Sequence, residues 1–166
     1  MKQQLFLTVF TLIVLLVSCQ NKQDHRSKTP ADTNAITQEN SGEGVPYDIV
    51  KGYFVKNTVS EKNLENPKIE DEETFNQYFG AATTMGEEGK PTTIDFTKQF
   101  VIAVIEASTE HLTTIAPISL ANTGSDQLTL TYRVEKGEKQ SYTQRPVLLL
   151  VVDKIYNQEV VLEESK

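Results

Sequence analysis

Hydrophobic residues in this chain follow three patterns, and each predicts a different element. Phe100 to Ile105 and Val147 to Val152 are apolar without a break. A strand can be apolar at every position only if both its faces are covered, so these two stretches read as central strands. Leu128 to Val134 instead alternates. Leu128, Leu130, Tyr132 and Val134 fall on one face, and Thr129, Thr131 and Arg133 on the other. That is a strand with one wet side. Asp48 to Thr58 is rich in β-branched and aromatic residues and predicts a strand, with Gly52 marking a bulge or a close backbone approach. Leu112 to Leu120 predicts another, which Pro117 confines to an edge because proline donates no ladder hydrogen bond. Glu159 to Glu163 is a short last strand.

The period changes once. Phe75, Tyr78 and Phe79 recur at helical spacing behind the acidic run Glu70 to Glu73, which suits the positive end of a helix dipole. The spacing predicts a helix within Ile69–Gly80, packed from Asp71 to Phe79 and closed by Gly80 in a left-handed conformation. Polar stretches predict loops at Val59 to Lys68, Ala81 to Thr93, Ser108 to Glu110, Asn122 to Asp126 and Glu135 to Gln144. The connections after Ala107 are short, which predicts an antiparallel meander. The fold class is therefore mainly β (α+β), an antiparallel sheet or sandwich of about six strands with one packed helix, formed as a single domain over residues 47–166.

The first 46 residues obey none of these patterns. Lys2 precedes a mainly apolar region from Leu5 to Val17, about thirteen residues and short of the roughly 20 that span a bilayer. Leu16-Val17-Ser18-Cys19 follows it and resembles the lipobox of bacterial lipoproteins. That resemblance implies a signal peptide over 1–18 and acylation of Cys19. It also implies a mature chain held by its N-terminal lipid in the cell envelope, at the outer membrane. Gln20 to Pro46 is almost free of large apolar residues and too polar to offset the entropy of ordering, so 19–46 reads as a disordered tether. His25 is a solvated residue within it. A flexible segment of that length spans roughly 28 Å.

Composition narrows the function. Removing Lys2 with the signal leaves 15 basic against 23 acidic residues, a net charge of −8. That balance opposes binding to nucleic acid. The single cysteine excludes an intrachain disulfide. Two histidines and no free thiol argue against a transition-metal site, and no cofactor motif is present. Ser108, Glu110 and His111 bring a nucleophile, an acid and a base close together in sequence. Neighbours on an extended chain point to alternate faces, so they predict a polar turn and no relay. The chain is read as a non-enzyme without cofactor.

From Ile94 onward the order of elements resembles the C-terminal domain of PrcB-type proteins, the accessory lipoproteins of bacterial protease complexes. Asp95-Phe96-Thr97-Lys98-Gln99-Phe100-Val101-Ile102-Ala103-Val104 carries the likeness, with the alternating strand Leu128 to Val134 and Gln144-Arg145-Pro146 leading into Val147 to Asp153. Where that family has a Thr-Gly-Gly-Tyr-like turn, this chain has Ser108 to Thr114. The resemblance implies a non-catalytic β module that binds a protein partner in the envelope, such as a protease. Thr113-Thr114 and Arg145-Pro146 are also similar to the inhibitory segments of chagasin-like cysteine-protease inhibitors. Loops at the ends of strands carry function, which singles out Ser108 to Thr114 and Glu138 to Arg145. The candidate contact residues are Thr109, His111, Thr113, Thr114, Tyr142 and Arg145. A rival carbohydrate or small-ligand reading expects Tyr47, Tyr53, Tyr132 and Tyr142 to line one pocket.

Overall fold

The computed structural model describes residues 44–59, 63–82 and 89–166. The predicted signal peptide, Cys19, His25 and most of the tether lie outside the described residues. The fold is mainly β with one short helix. Its strands are β1 (Asp48–Ile49), β2 (Tyr53–Val55), β3 (Lys68–Ile69), β4 (Phe79–Ala81), β5 (Gln99–Ile105), β6 (Thr109–Asn122), β7 (Gln127–Gln144), β8 (Val147–Asp153) and β9 (Glu159–Glu164), and the helix α1 (Glu72–Tyr78) precedes β4. They form a four-stranded sheet β1-β8-β5-β3, a three-stranded sheet β6-β7-β9 and a β2-β4 pair.

One long hairpin, folded double, makes most of the domain. β5 and β8 pair antiparallel from Gln99↔Asp153 to Ile105↔Val147. The ladder continues through Glu106 N to Pro146 O at 3.0 Å. It then resumes as β6 and β7 from Thr109↔Gln144 to Asn122↔Leu128. The bend between the two halves lies at residues 106–108 and 145–146. Folding the hairpin there lays the apolar face of β6 and β7 onto one face of β5 and β8. Phe100, Ile102, Val104, Leu148, Leu150 and Val152 meet Leu120, Leu128, Leu130 and Tyr132 between the sheets.

The opposite face of β5 and β8 is covered as well. Val101, Ala103, Ile105, Leu149 and Val151 pack against Val55, Ile69, Phe75 and Phe79. The four-stranded sheet is thus the middle of three layers, as the unbroken apolar runs predict. Phe100 to Val104 are each 0% exposed.

Several expectations are corrected. No meander forms, because the short connections at the bend carry the chain from one sheet to the other and β5 pairs with β8. After β8 the chain makes a 3₁₀ turn at Lys154–Tyr156 and returns to the three-stranded sheet, where β9 lies parallel to β7. β8 thereby acts as the crossover that a parallel pair requires. The stretch Glu135 to Gln144 is no loop but the second half of β7, bonded to Thr109 through Thr114 with register shifts. Its polarity reflects solvent exposure on an extended ribbon. Asp48 to Thr58 is two short strands, broken at Gly52, whose φ is +80°. An added Cβ there would lie 2.7 Å from Pro91 Cα, which bears out the predicted close approach. The packed domain also reaches further upstream than Tyr47. Val45 is buried, and its N–H donates to Leu120 O at 2.7 Å.

The helix is shorter than its apolar spacing suggests. Asp71 caps it, with Oδ1 accepting from Thr74 N at 2.8 Å and Oδ2 from Thr74 Oγ1 at 2.8 Å. At the other end Phe79, Gly80 and Ala81 pair with Val55, Phe54 and Tyr53. Strand pairing takes these residues from the helix, so Gly80 is no left-handed cap. It is glycine for a different reason. An added Cβ would meet the Phe54 ring at 2.5 Å, so the ring lies flat over the bare backbone.

The Asp71 cap makes stability depend on acid. Hydrogen bonds from Thr74 hold the Asp71 carboxyl below its ordinary value. A lowered carboxyl stabilises the fold above its unfolded pKa, and that contribution is lost as pH falls through the folded pKa. In urea titrations between about pH 6 and pH 3, Asp71→Asn should lose less stability than the parent on acidification, because asparagine caps without titrating. Equal slopes for the two proteins would refute the cap as their source.

Candidate functional site

Loops that the sequence singles out as contact surfaces meet at the bend, but as ribbon more than as loop. Between Thr109↔Gln144 and His111↔Lys139, β6 advances two residues while β7 advances five. The three extra residues of β7 form a bulge in the stretch that carries Tyr142. The Gln144 side chain spans this irregularity. Its Nε2 donates to His111 O at 2.7 Å and reaches Thr113 O at 3.5 Å. Such bulges bend a strand and re-aim its side chains.

The six predicted contact residues separate into two groups. Thr109, His111, Thr113 and Thr114 lie within β6, not in a turn. Thr109 Oγ1 accepts from His111 N at 3.1 Å, and His111 Nδ1 lies 3.2 Å from Gly137 O. Thr113 is buried, and its hydroxyl donates to His111 O at 3.0 Å. Thr114 is exposed opposite Glu135. No loop presents the Thr113-Thr114 pair. Tyr142 is in the β7 bulge and Arg145 is at the bend. Tyr142 is 54% exposed, and Arg145 Nη1 donates to Val59 O at 2.9 Å.

A cleft of about 520 Å³ opens beside Arg145. Ser108, Thr143, Gln144 and Arg145 form one wall, and Phe54, Val55, Asn57 and Val59 of β2 and its continuation form the other. Phe54 is 50% exposed. The β2 wall was missed by sequence reasoning. The signal that could have found it is Gly80, which has no side chain where the Phe54 ring rests.

The remaining chemistry is dispersed. Ser108 faces the cleft, while Glu110 pairs with Lys139 Nζ at 2.8 Å and His111 contacts Gly137. These three share no relay. Among the described residues no group of three or more His, Cys, Asp or Glu could hold a metal ion, and no helix is long and apolar enough to cross a membrane. The four tyrosines named for a sugar pocket are also separated. Tyr132 is in the core, Tyr47 packs against it, Tyr53 lies on the helix side of the sheet, and Tyr142 is in the bulge. Burial pushes the Tyr132 phenol above its ordinary value, and the charges of Glu164 and Glu106 add to this, against a hydrogen bond with Asn63. Asn63 also accepts from Ile105 N at 2.7 Å, tying the chain before β3 to the end of β5 beside the bend. Comparison with family models, curated proteins and solved structures gives no match.

Proposed function

We propose that this chain is a lipid-anchored, non-catalytic module of the bacterial cell envelope that binds another exported protein through the cleft at the bend. The single observation that carries the reading is that cleft. It is walled by the bend of the folded hairpin on one side and rimmed by the half-exposed Phe54 ring on the other. A pre-formed concavity with an aromatic anchor loses little entropy on binding, and aromatic and arginine residues dominate such contacts. Tyr142, next to the wall residue Thr143, adds a second exposed ring. The partner implied by the PrcB-type resemblance is a protease or another subunit of its complex. Cys19 supplies the membrane attachment and the polar segment behind it the reach.

A photo-crosslinking amino acid at position 54 or 142 of the full-length chain tests this directly. Both positions should capture the same envelope protein, and capture should fall at least tenfold with Arg145→Ala. The control is position 155, a 78%-exposed isoleucine just past the far end of β8, which should not capture it. Indistinguishable capture from position 155, or none from 54 and 142, would remove the cleft as the docking surface. Separately, Cys19→Ala should release the protein from membranes. Palmitate labelling that survives this change would refute the anchor.

A further inference from the structure

A lysine of β3 meets the turn between β8 and β9. Lys68 Nζ donates to Asn157 Oδ1 at 3.0 Å, across 89 residues of sequence. Glu70 Oε2 lies 3.6 Å from the same nitrogen, and the centroid of the Phe100 ring lies 6.0 Å from it. Backbone contacts hold all three groups. Lys68 pairs with Ile102 of β5. Asn157 N donates to Lys154 O at 3.1 Å, where the 3₁₀ turn ends. The Glu70 carbonyl accepts from Lys154 Nζ at 3.3 Å. The Lys68 side chain is only 15% exposed, so its stem is packed and few waters compete for its amine.

A primary amine, a side-chain amide and a carboxylate are the three groups that condensation of lysine with asparagine needs. The amide carbon is one C=O bond of about 1.2 Å beyond Oδ1, which puts Nζ about 4 Å or less from it. Holding two reacting groups at that range replaces a bimolecular encounter by an intramolecular one, with effective molarities of about 10⁵ M and more. Glu70 can take a proton from the lysine and return it, the part a general acid–base group plays beside a nucleophilic amine. Lys98 and Lys139 instead reach carboxylates, and Lys56 and Lys154 reach backbone carbonyls, none of which has ammonia to release. Lys68 and Asn157 also line a cleft of about 420 Å³, which gives ammonia a way out.

We propose that Lys68 and Asn157 join in an isopeptide cross-link, with Glu70 relaying the proton. The Glu70 carboxylate takes a proton from the Lys68 ammonium. The freed electron pair on Nζ forms a bond to Cγ of Asn157, and the C=O pair moves onto Oδ1. When the carbonyl reforms, the Cγ–Nδ2 bond breaks, and Nδ2 leaves with the protons given up by Nζ. One amide and one ammonium ion result, and no oxidant or further reactant is consumed. The link closes a loop of 89 residues, which restricts the unfolded chain. It also ties β3, a two-residue edge strand, to the segment that leads into β9. This chemistry is independent of the cleft at the bend and of any protein partner there.

The test is peptide mapping by mass spectrometry of the full-length chain, digested after incubation at neutral pH. The expected product is a branched peptide that joins the residues around Lys68 to those around Asn157. Its mass should be the sum of the two separate peptides less one ammonia. Lys68→Arg keeps the positive charge but has no amine that condenses, so it should give both peptides unlinked at full mass. Glu70→Gln keeps Lys68 and Asn157 and should slow the appearance of the link at least about a hundredfold. A parent chain that yields only the two unlinked peptides at full mass would overturn the proposal. So would ammonia loss at Asn157 that persists in Lys68→Arg, or a link that forms as fast with Glu70→Gln as without it.

Discussion

Replacing Phe100 by alanine should lower the stability of the domain by about 4 kcal/mol. The ring is 0% exposed and lies between the two sheets, where the folded hairpin brings Leu120, Leu128 and Leu130 against it. Truncation removes both the transfer free energy of the ring and the contacts of its neighbours, which cannot collapse without unbending the hairpin. The adjacent Val101 faces the opposite layer, among Phe75, Phe79 and Ile69. Val101→Ala should cost about 2 kcal/mol. Sensitivity at consecutive positions distinguishes a three-layer arrangement from a strand with one wet face, where only every second residue would matter. Urea unfolding with an unchanged m-value checks both. A neutral Val101→Ala would show that the helix layer does not cover the sheet in solution.

Gly52→Ala should cost about 3 kcal/mol, more than most surface changes. Two penalties combine. The φ of +80° disfavours any residue with a Cβ, and that Cβ would sit 2.7 Å from the Pro91 backbone. Backbone cannot swing aside as a flexible side chain would. The approach is also fixed from both flanks, because Thr92 N donates to Lys51 O at 3.0 Å and Ala82 N donates to Gly52 O at 2.8 Å. Gly124→Ala is the matched control. Its φ is not positive, and its nearest neighbour is Gln127 Cβ at 3.7 Å, so the change should be neutral within about 0.5 kcal/mol. Thermal unfolding of the two variants separates strain from the general effect of losing a glycine.

The site was only partly legible. The Arg145-Pro146 step ahead of an apolar run lies at the bend, and Tyr142 of the same polar stretch lies in the β7 bulge. Thr109 to His111 were misplaced because a polar stretch reads the same whether it is a loop or an exposed ribbon. Periodicity registers burial, and this part of β6 and β7 has little. Phe54 was misread for the opposite reason. An aromatic in a β-rich stretch predicts core, and its half-exposed position over Gly80 depends on a pairing with β4, about 26 residues away in sequence.

Taken alone, the sequence determined the elements whose signal is local. Apolar runs at 100–105 and 147–152 pointed to strands covered on both faces, because six-residue runs rich in β-branched side chains are too short for a buried helix and must be removed from water on both sides. Acidic residues ahead of Phe75 and Phe79 required a helix start. Pro117 required an edge, and β6 is one. Which strands became neighbours was decided only by tertiary structure. The short connections after Ile105 and Gln144 are compatible with a meander or with a folded hairpin. The folded form prevails because it is the one that stacks the apolar face of β6 and β7 onto β5 and β8. The same global burial ended α1 before Phe79, drew β9 alongside β7 and set Phe54 over Gly80. Pattern fixes what each segment must hide, and only the assembled layers decide what hides it.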